Sequence, residues 1–425
     1  MDENGFLSAV SGLIGDHPEI ASVLGGLGSV LLGSGIFSFL RRPKADGKRD
    51  ADYLSDEKLL SPPTQRPAYS DRMAYVLAEL SALAYYEFEG TGARIAEAAK
   101  SFSLIAGGDS EKIEKWLGDF ADRLLLQGID SEDFLRAILE SRGFELLGTI
   151  NVAETQAFVC KRLPRNDDGH SFVVVAFRGT EKKVSDWLTD ADATPFEYGV
   201  TAKGGTKKVH SGFLNALTKK TDSHGQTAIS RLRVILETKG VDEKGQQLPL
   251  FLTGHSLGGA LALLMTVLMK SDMCGACYTF GAPRIANYEF FENVKTPVFR
   301  VVNSADIVPR VPPVMVIPIK LCQGLEWATS YVFPPVSRLF ERLARGLDRL
   351  EGYRHYGDQR YLTDVESGRF SDVNLLSNPP VIDRIMWIGQ QLIRSWFVPV
   401  KSHGMLIYRE KLRFLANDRN QARES

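Results

Sequence analysis

Leu250-Phe251-Leu252-Thr253-Gly254-His255-Ser256-Leu257-Gly258-Gly259 is an apolar run that ends in a glycine-flanked serine, and Ala260 to Lys270 after it carries a helical apolar pattern. The order is strand, tight turn, helix. G-x-S-x-G in that setting reads as a nucleophile elbow: Ser256 sits at a strained turn around His255, while Gly254 and Gly258 leave room for the adjoining strand and helix. The helix behind the serine aims backbone N–H groups at the reacting oxygen, so Leu257 N–H is a candidate oxyanion donor.

A serine hydroxyl is a poor nucleophile until a base takes its proton, so an imidazole and an orienting carboxylate are expected further along. Asp306 closes an apolar strand in the run Val298 to Pro309, where a carboxylate would project from the carboxyl edge of a sheet; the alternative is a solvated loop aspartate or a helix cap. Of the 7 histidines, His17, His170, His210 and His224 precede the serine and His255 lies inside the elbow. His355 and His403 remain.

Strand-like runs at Phe144 to Ile150, Ala157 to Arg162 and Ser171 to Phe177 precede the elbow, the last nearly unbroken in apolar residues, as a strand covered on both faces should be. Ala74 to Tyr86 and Glu111 to Ser141 carry helical spacing and form a helical N-terminal lead-in; Cys277 to Phe280 is a further strand. Helical and strand patterns alternate, which predicts α/β layers around a mainly parallel central sheet. No internal repeat is present.

The 425 residues hold 51 Lys plus Arg against 52 Asp plus Glu, a net charge of -1, which supplies no broad footprint for nucleic acid. The 4 cysteines are too few and too scattered for a disulfide framework. Cys274 and Cys277 form a lone C-x-x-C without the second ligand pair that structural zinc needs, so no metal is expected there.

Residues 1–44 form a hydrophobic N-terminal segment in which 20–40 carries no charge and is long enough to cross a bilayer as a helix. Gly25, Ser29 and Gly33 recur every fourth residue, as in close-packed membrane helices. The alternative is a glycine-rich hairpin docked on protein. Basic residues follow the segment instead of preceding it, unlike a cleavable signal peptide, and the reading is a membrane-associated or cytoplasmic chain. The charged, proline-bearing stretch 45–68 reads as a linker, and 69–420 as the folded body.

Five blocks in order, FRGTEKKVSDWLTD, KVHSGFLNAL, GHSLGGALALL, YTFGAPRIAN and VVNSADIVPRVPP, resemble the class 3 lipase family, the fungal-lipase-like branch of the α/β-hydrolases. The resemblance implies an α/β-hydrolase fold and hydrolysis of triacylglycerols, phospholipids or other esters without metal or cofactor. It places Thr180 in the oxyanion hole beside Leu257, and implies that the segment from Glu181 to Asp190 acts as a lid. Trp187 would be the lid's apolar anchor, although a buried Trp serves equally as core. His403 resembles the histidine that opens the family's final helix, with a tyrosine five residues on, whereas His355 resembles a non-catalytic one. Ser256, Asp306 and His403 are therefore the expected catalytic residues.

Between Asp306 and His403 the chain is longer than compact members of the family. Hydrophobic inserts at about 314–352 and 381–400 account for the excess, and the second lines Ile385, Ile388, Leu392 and Trp396 along one helical face. That face suits packing on the sheet or cover for an acyl pocket. The expected function is cleavage of carboxylic esters in lipids or at a membrane surface. Its competitors are a membrane-anchored binding or scaffold module with a hydrolase fold, and a lipid acyltransferase using the same three residues.

Overall fold

The computed structural model describes residues 53–64, 68–85, 131–153, 155–163, 170–179, 195–269, 274–304, 306, 308–310, 352–363, 370–380 and 403–424. An eight-stranded sheet runs through them in the order β1 (Phe144–Val152), β2 (Thr155–Arg162), β3 (Phe172–Phe177), β6 (Leu250–His255), β7 (Cys274–Phe280), β8 (Val298–Asn303), β9 (Asp358–Leu362), β10 (Leu375–Ser377). β3, β6, β7, β8 and β9 are mutually parallel, and β1, β2 and β10 add antiparallel edges. β3 and β6 are buried at every position, because helices cover both faces of the parallel strands. This is the α/β layering around a mainly parallel sheet expected from the alternating pattern, and the α/β-hydrolase fold that the resemblance implies, with β4 (Pro195–Val200) and β5 (Thr206–His210) paired as a separate hairpin.

One face of the sheet carries α1 (Asp71–Leu83), α2 (Ser131–Ser141) and α6 (Met405–Glu424); the other carries α3 (Ser211–Thr218), α4 (Ala228–Lys239) and α5 (Leu257–Leu268). Ser70 caps α1 by accepting from Met73 N at 3.3 Å, and Asp71 in the first turn complements the helix dipole. The apolar side of α1 then lies on β6, where Ser81 Oγ meets Thr253 Oγ1 at 2.9 Å.

The reading of 45–68 as a linker is corrected where the structure describes it. Leu54, Leu59 and Leu60 are buried in the core with α1, and Arg162 donates to the Leu60 carbonyl at 3.0 Å. Three leucines spaced among charges and prolines carry no helical or strand period, which is why their burial escapes a pattern reading. Segment 20–40, lead-in residues 111–130, insert residues 314–351 and the whole of 381–400 lie outside the described residues; among the described residues, no helix is long and apolar enough to cross a membrane.

Candidate active site

β6 ends at His255 and α5 begins at Leu257, leaving Ser256 to make the whole turn at φ 56°, ψ -125°. Such a conformation costs a non-glycine residue about 1–3 kcal/mol and persists only where its surroundings fix it. Here they do so from both sides. Ser256 N donates to Phe280 O at 2.9 Å, tying the turn to the end of β7. A Cβ on Gly254 would stand 2.2 Å from the Gly258 carbonyl carbon, and one on Gly258 would stand 2.2 Å from Phe177 O. The two glycines thus permit β3, β6 and α5 to close on the serine. Leu257 opens α5, so its N–H has no acceptor within the helix.

Asp306 lies in the turn three residues past β8, not on the strand itself, and its carboxylate is fully buried. Val308 N donates to Oδ1 at 2.9 Å and Tyr408 OH to Oδ2 at 2.6 Å. His403 Nδ1 lies 3.0 Å from Oδ1 and 2.9 Å from Oδ2. A carboxylate only accepts, so Nδ1 carries the proton; in the neutral ring Nε2 is then the lone pair that a general base requires. Tyr408 also accepts from Asn303 N at 2.9 Å, and burial together with the Asp306 charge holds its phenol far above the usual range.

Gly281, at φ 57°, joins the serine to this pair: a Cβ there would fall 2.6 Å from Asp306 Oδ2 and 3.1 Å from His403 Nδ1. It follows directly on Phe280, whose carbonyl holds Ser256 N. Among the described residues no hydrogen bond links Ser256 Oγ to His403. The His255 ring lies 4.5 Å from the His403 ring, centroid to centroid, and accepts at Nδ1 from Tyr85 OH at 2.7 Å while Nε2 donates to His403 O at 2.7 Å. Burial, with the neighbouring imidazole, pushes His255 well below the usual histidine range and keeps it neutral.

Of the two histidines left open by position, His403 reaches Asp306. His355 Nε2 instead contacts the carbonyl of Pro309. Thr180 and Trp187 lie outside the described residues, although Gly179 before Thr180 packs so tightly that a Cβ would sit 2.2 Å from Tyr85 OH and 2.8 Å from His255 O. Among the described residues no group of His, Cys, Asp and Glu could hold a metal ion, and Cys277 is a buried strand residue.

Three supporting residues escaped the sequence reading. Tyr85 lies two residues past the end of α1, and its role exists only through the His255 ring. Lys411 is buried and donates from Nζ to Asn303 Oδ1 at 2.7 Å and to Thr363 O at 2.6 Å, so α6 grips the end of β8 from which Asp306 hangs. Gly281 lies in the block YTFGAPRIAN, but that block assigned it no role.

Residues 174–316 match the family described as Lipase (class 3). The chain is 31% identical over 222 residues to phospholipase A1-Igamma1, chloroplastic, of Arabidopsis thaliana, an alignment covering 45% of this chain and 42% of that protein. It is 31% identical over 206 residues to triacylglycerol lipase OBL1 of Ricinus communis, covering 37% of each. With a lipase of Rhizomucor miehei it shares 31% over 174 residues, covering 38% of this chain and 42% of the other. The chain thus spans about two-fifths of the length of these curated relatives. His403 falls beyond the matched family segment, so its assignment stands on its geometry with Asp306. Residues 174–316, which carry both the elbow serine and the buried aspartate, are thus similar to the class 3 lipase family.

Proposed function

We propose that this chain hydrolyses carboxylic esters of lipids, of the triacylglycerol or phospholipid type, through an acyl-enzyme on Ser256. The observation that carries the reading is the His403 Nδ1 to Asp306 contact at 2.9 Å, set one residue from the carbonyl that pins the Ser256 turn. A buried carboxylate that fixes the Nδ1–H tautomer leaves Nε2 basic, and the glycine-walled turn holds a single hydroxyl at the neighbouring strand end.

In this reading His403 Nε2 takes the Ser256 proton as Oγ attacks the ester carbonyl. Charge on the resulting oxyanion is met by Leu257 N–H and by Thr180, which follows the tightly packed Gly179. Collapse expels the alcohol with the proton from His403 and leaves the acyl group on Ser256. Water then attacks through the same imidazole, releasing the fatty acid. The relatives' names, phospholipase A1 and triacylglycerol lipase, agree on an ester of a fatty acid and differ on the headgroup.

The test pairs fluorophosphonate labelling with turnover of a chain-length series of p-nitrophenyl esters. Wild type should label at Ser256 and show turnover that Ser256→Ala abolishes. Absence of both would favour a binding module that merely retains the fold. Fatty-acyl glycerol appearing in place of free acid when glycerol is added would identify acyl transfer.

A further inference from the structure

The described surface exposes seven large apolar side chains, and four of them lie together: Phe196, Tyr198 and Val200 on β4, at 40%, 47% and 66% exposure, and Tyr288 at 70% on the short 3-10 turn Tyr288–Phe291 beside the hairpin. β4 pairs only with β5 among the described strands, and the Tyr198 ring packs edge-on against Phe290 at 5.3 Å. The hairpin is also basic. Lys203 stands at its tip, Lys207 and Lys208 on β5, and Lys219 sits 5.0 Å over the Phe196 ring. Glu197 on β4 and Glu289 and Glu292 at the 3-10 turn oppose them, with Lys207 3.7 Å from Glu292.

The root of this hairpin is fixed to the active-site edge of the sheet. His210 N donates to Ile285 O at 2.8 Å, and Asn287 N to Lys208 O at 3.0 Å. Ile285 to Asn287 belong to the stretch that leaves β7 through Gly281, the glycine wedged against Asp306 and His403. The aromatic strand β4 is thus anchored, through β5, to the chain segment that leaves the candidate site.

Resting on the proposed lipid-ester hydrolysis, we propose that the β4–β5 hairpin docks on an anionic lipid surface and brings the Ser256 site to it. Tyrosine and phenylalanine rings suit the boundary between acyl chains and headgroups, and long lysine stems can bury while their ammonium groups reach anionic headgroups. Lysine is depleted at protein–protein interfaces, which argues against a protein partner for the same patch.

The direct test uses the full chain with Cys274 and Cys322 changed to Ser, Cys160 and Cys277 being buried. An environment-sensitive fluorophore is attached at Tyr198→Cys or, as control, at Val234→Cys on α4. Vesicles of neutral phosphatidylcholine alone, or mixed with phosphatidylglycerol, are then added. Emission should shift to the blue at position 198 on the anionic vesicles and stay unchanged at 234. No shift at 198, or equal shifts at both, overturns the proposal, whatever attaches the rest of the chain.

Hydrolysis supplies the second arm. Lys203→Glu/Lys207→Glu/Lys208→Glu should turn over a dissolved short-chain ester within about twofold of wild type and lose at least about tenfold on anionic vesicles. Equal rates on the vesicles overturn the docking role. Loss of Ser256-dependent turnover on both substrates by wild type would instead remove the hydrolase reading, with the fluorescence arm still deciding the docking. A shift produced only by an added protein fraction, and not by vesicles, would assign the patch to a protein partner and overturn the lipid reading.

Discussion

His255 Nε2 donates across 2.7 Å to the backbone carbonyl of His403, so the residue before the nucleophile holds the loop that carries the candidate base. Its other nitrogen accepts from Tyr85 OH, and that bond needs a neutral ring. Because burial lowers the folded-state value below the ordinary 6.5, the unfolded chain takes up a proton near that pH that the folded one refuses. The stability contributed by the neutral ring is therefore full above about pH 6.5 and falls as pH drops below it. His255→Gln should be destabilised by about 1–3 kcal/mol at pH 8, from the two lost bonds. The gap to wild type should narrow between pH 7 and pH 5. Urea denaturation at each pH measures it, and a gap that stays constant across the range would rule the linkage out.

Tyr408→Phe removes the 2.6 Å donor to Asp306 and the acceptor of Asn303 N in one change. A hydrogen bond to a charged, buried group is worth about 1.5–3 kcal/mol, so the variant should lose that much stability. The kcat on a soluble ester should fall about tenfold with KM little changed, since Asp306 orients the base and does not bind substrate. Wild-type kcat in the folded variant would mean that Val308 N and His403 fix the carboxylate alone.

Gly281→Ala is expected to harm the site far more than its size suggests. The residue has φ 57°, and its new methyl would lie 2.6 Å from Asp306 Oδ2 and 3.1 Å from Tyr408 OH. Either the carboxylate or the loop must move, and a displacement of about 1 Å can cost about a hundredfold in rate. Loss of fluorophosphonate reactivity at Ser256 with an intact thermal transition is the expected signature. Near wild-type labelling would show that the loop yields without disturbing the pair.

How much of this was readable in sequence depended on whether the constraint was local. The elbow was legible because steric closeness between strand and helix admits only glycine at 254 and 258, and Asp306 followed from chain order on the sheet. His403 lies 97 residues from Asp306, so position alone left it level with His355, and the family resemblance separated them. The β4–β5 hairpin escaped notice: PFEYGV and TKKVH are short, mixed in polarity and interrupted by a bulge between Glu197 and Gly199. Tyr85 and Lys411 were unreadable for a different reason. In a stretch such as LIYREKLRF a lysine reads as a solvated cation, and only tertiary packing turns it toward Asn303.

The same helix contributes a half-buried charge, Arg409, whose removal should be felt at the site. Arg409 donates from Nε and Nη2 to the two oxygens of Glu79, each at 2.9 Å, and Leu54 N adds a third donor at 3.0 Å. This joins α6, which follows His403 directly, to α1 and to the buried stretch before it. Burial raises the Glu79 carboxyl even with the guanidinium beside it, so the acid is ionised at some cost and depends on its partner. Arg409→Met should therefore destabilise by about 3–5 kcal/mol by stranding the carboxylate, whereas Glu79→Met/Arg409→Met should recover much of that loss. If the pair serves mainly to hold α6 in place, the double variant will regain its thermal transition but not its full kcat, because an apolar contact lacks the two-point geometry of the fork. Full recovery of both quantities would instead assign the pair to packing alone.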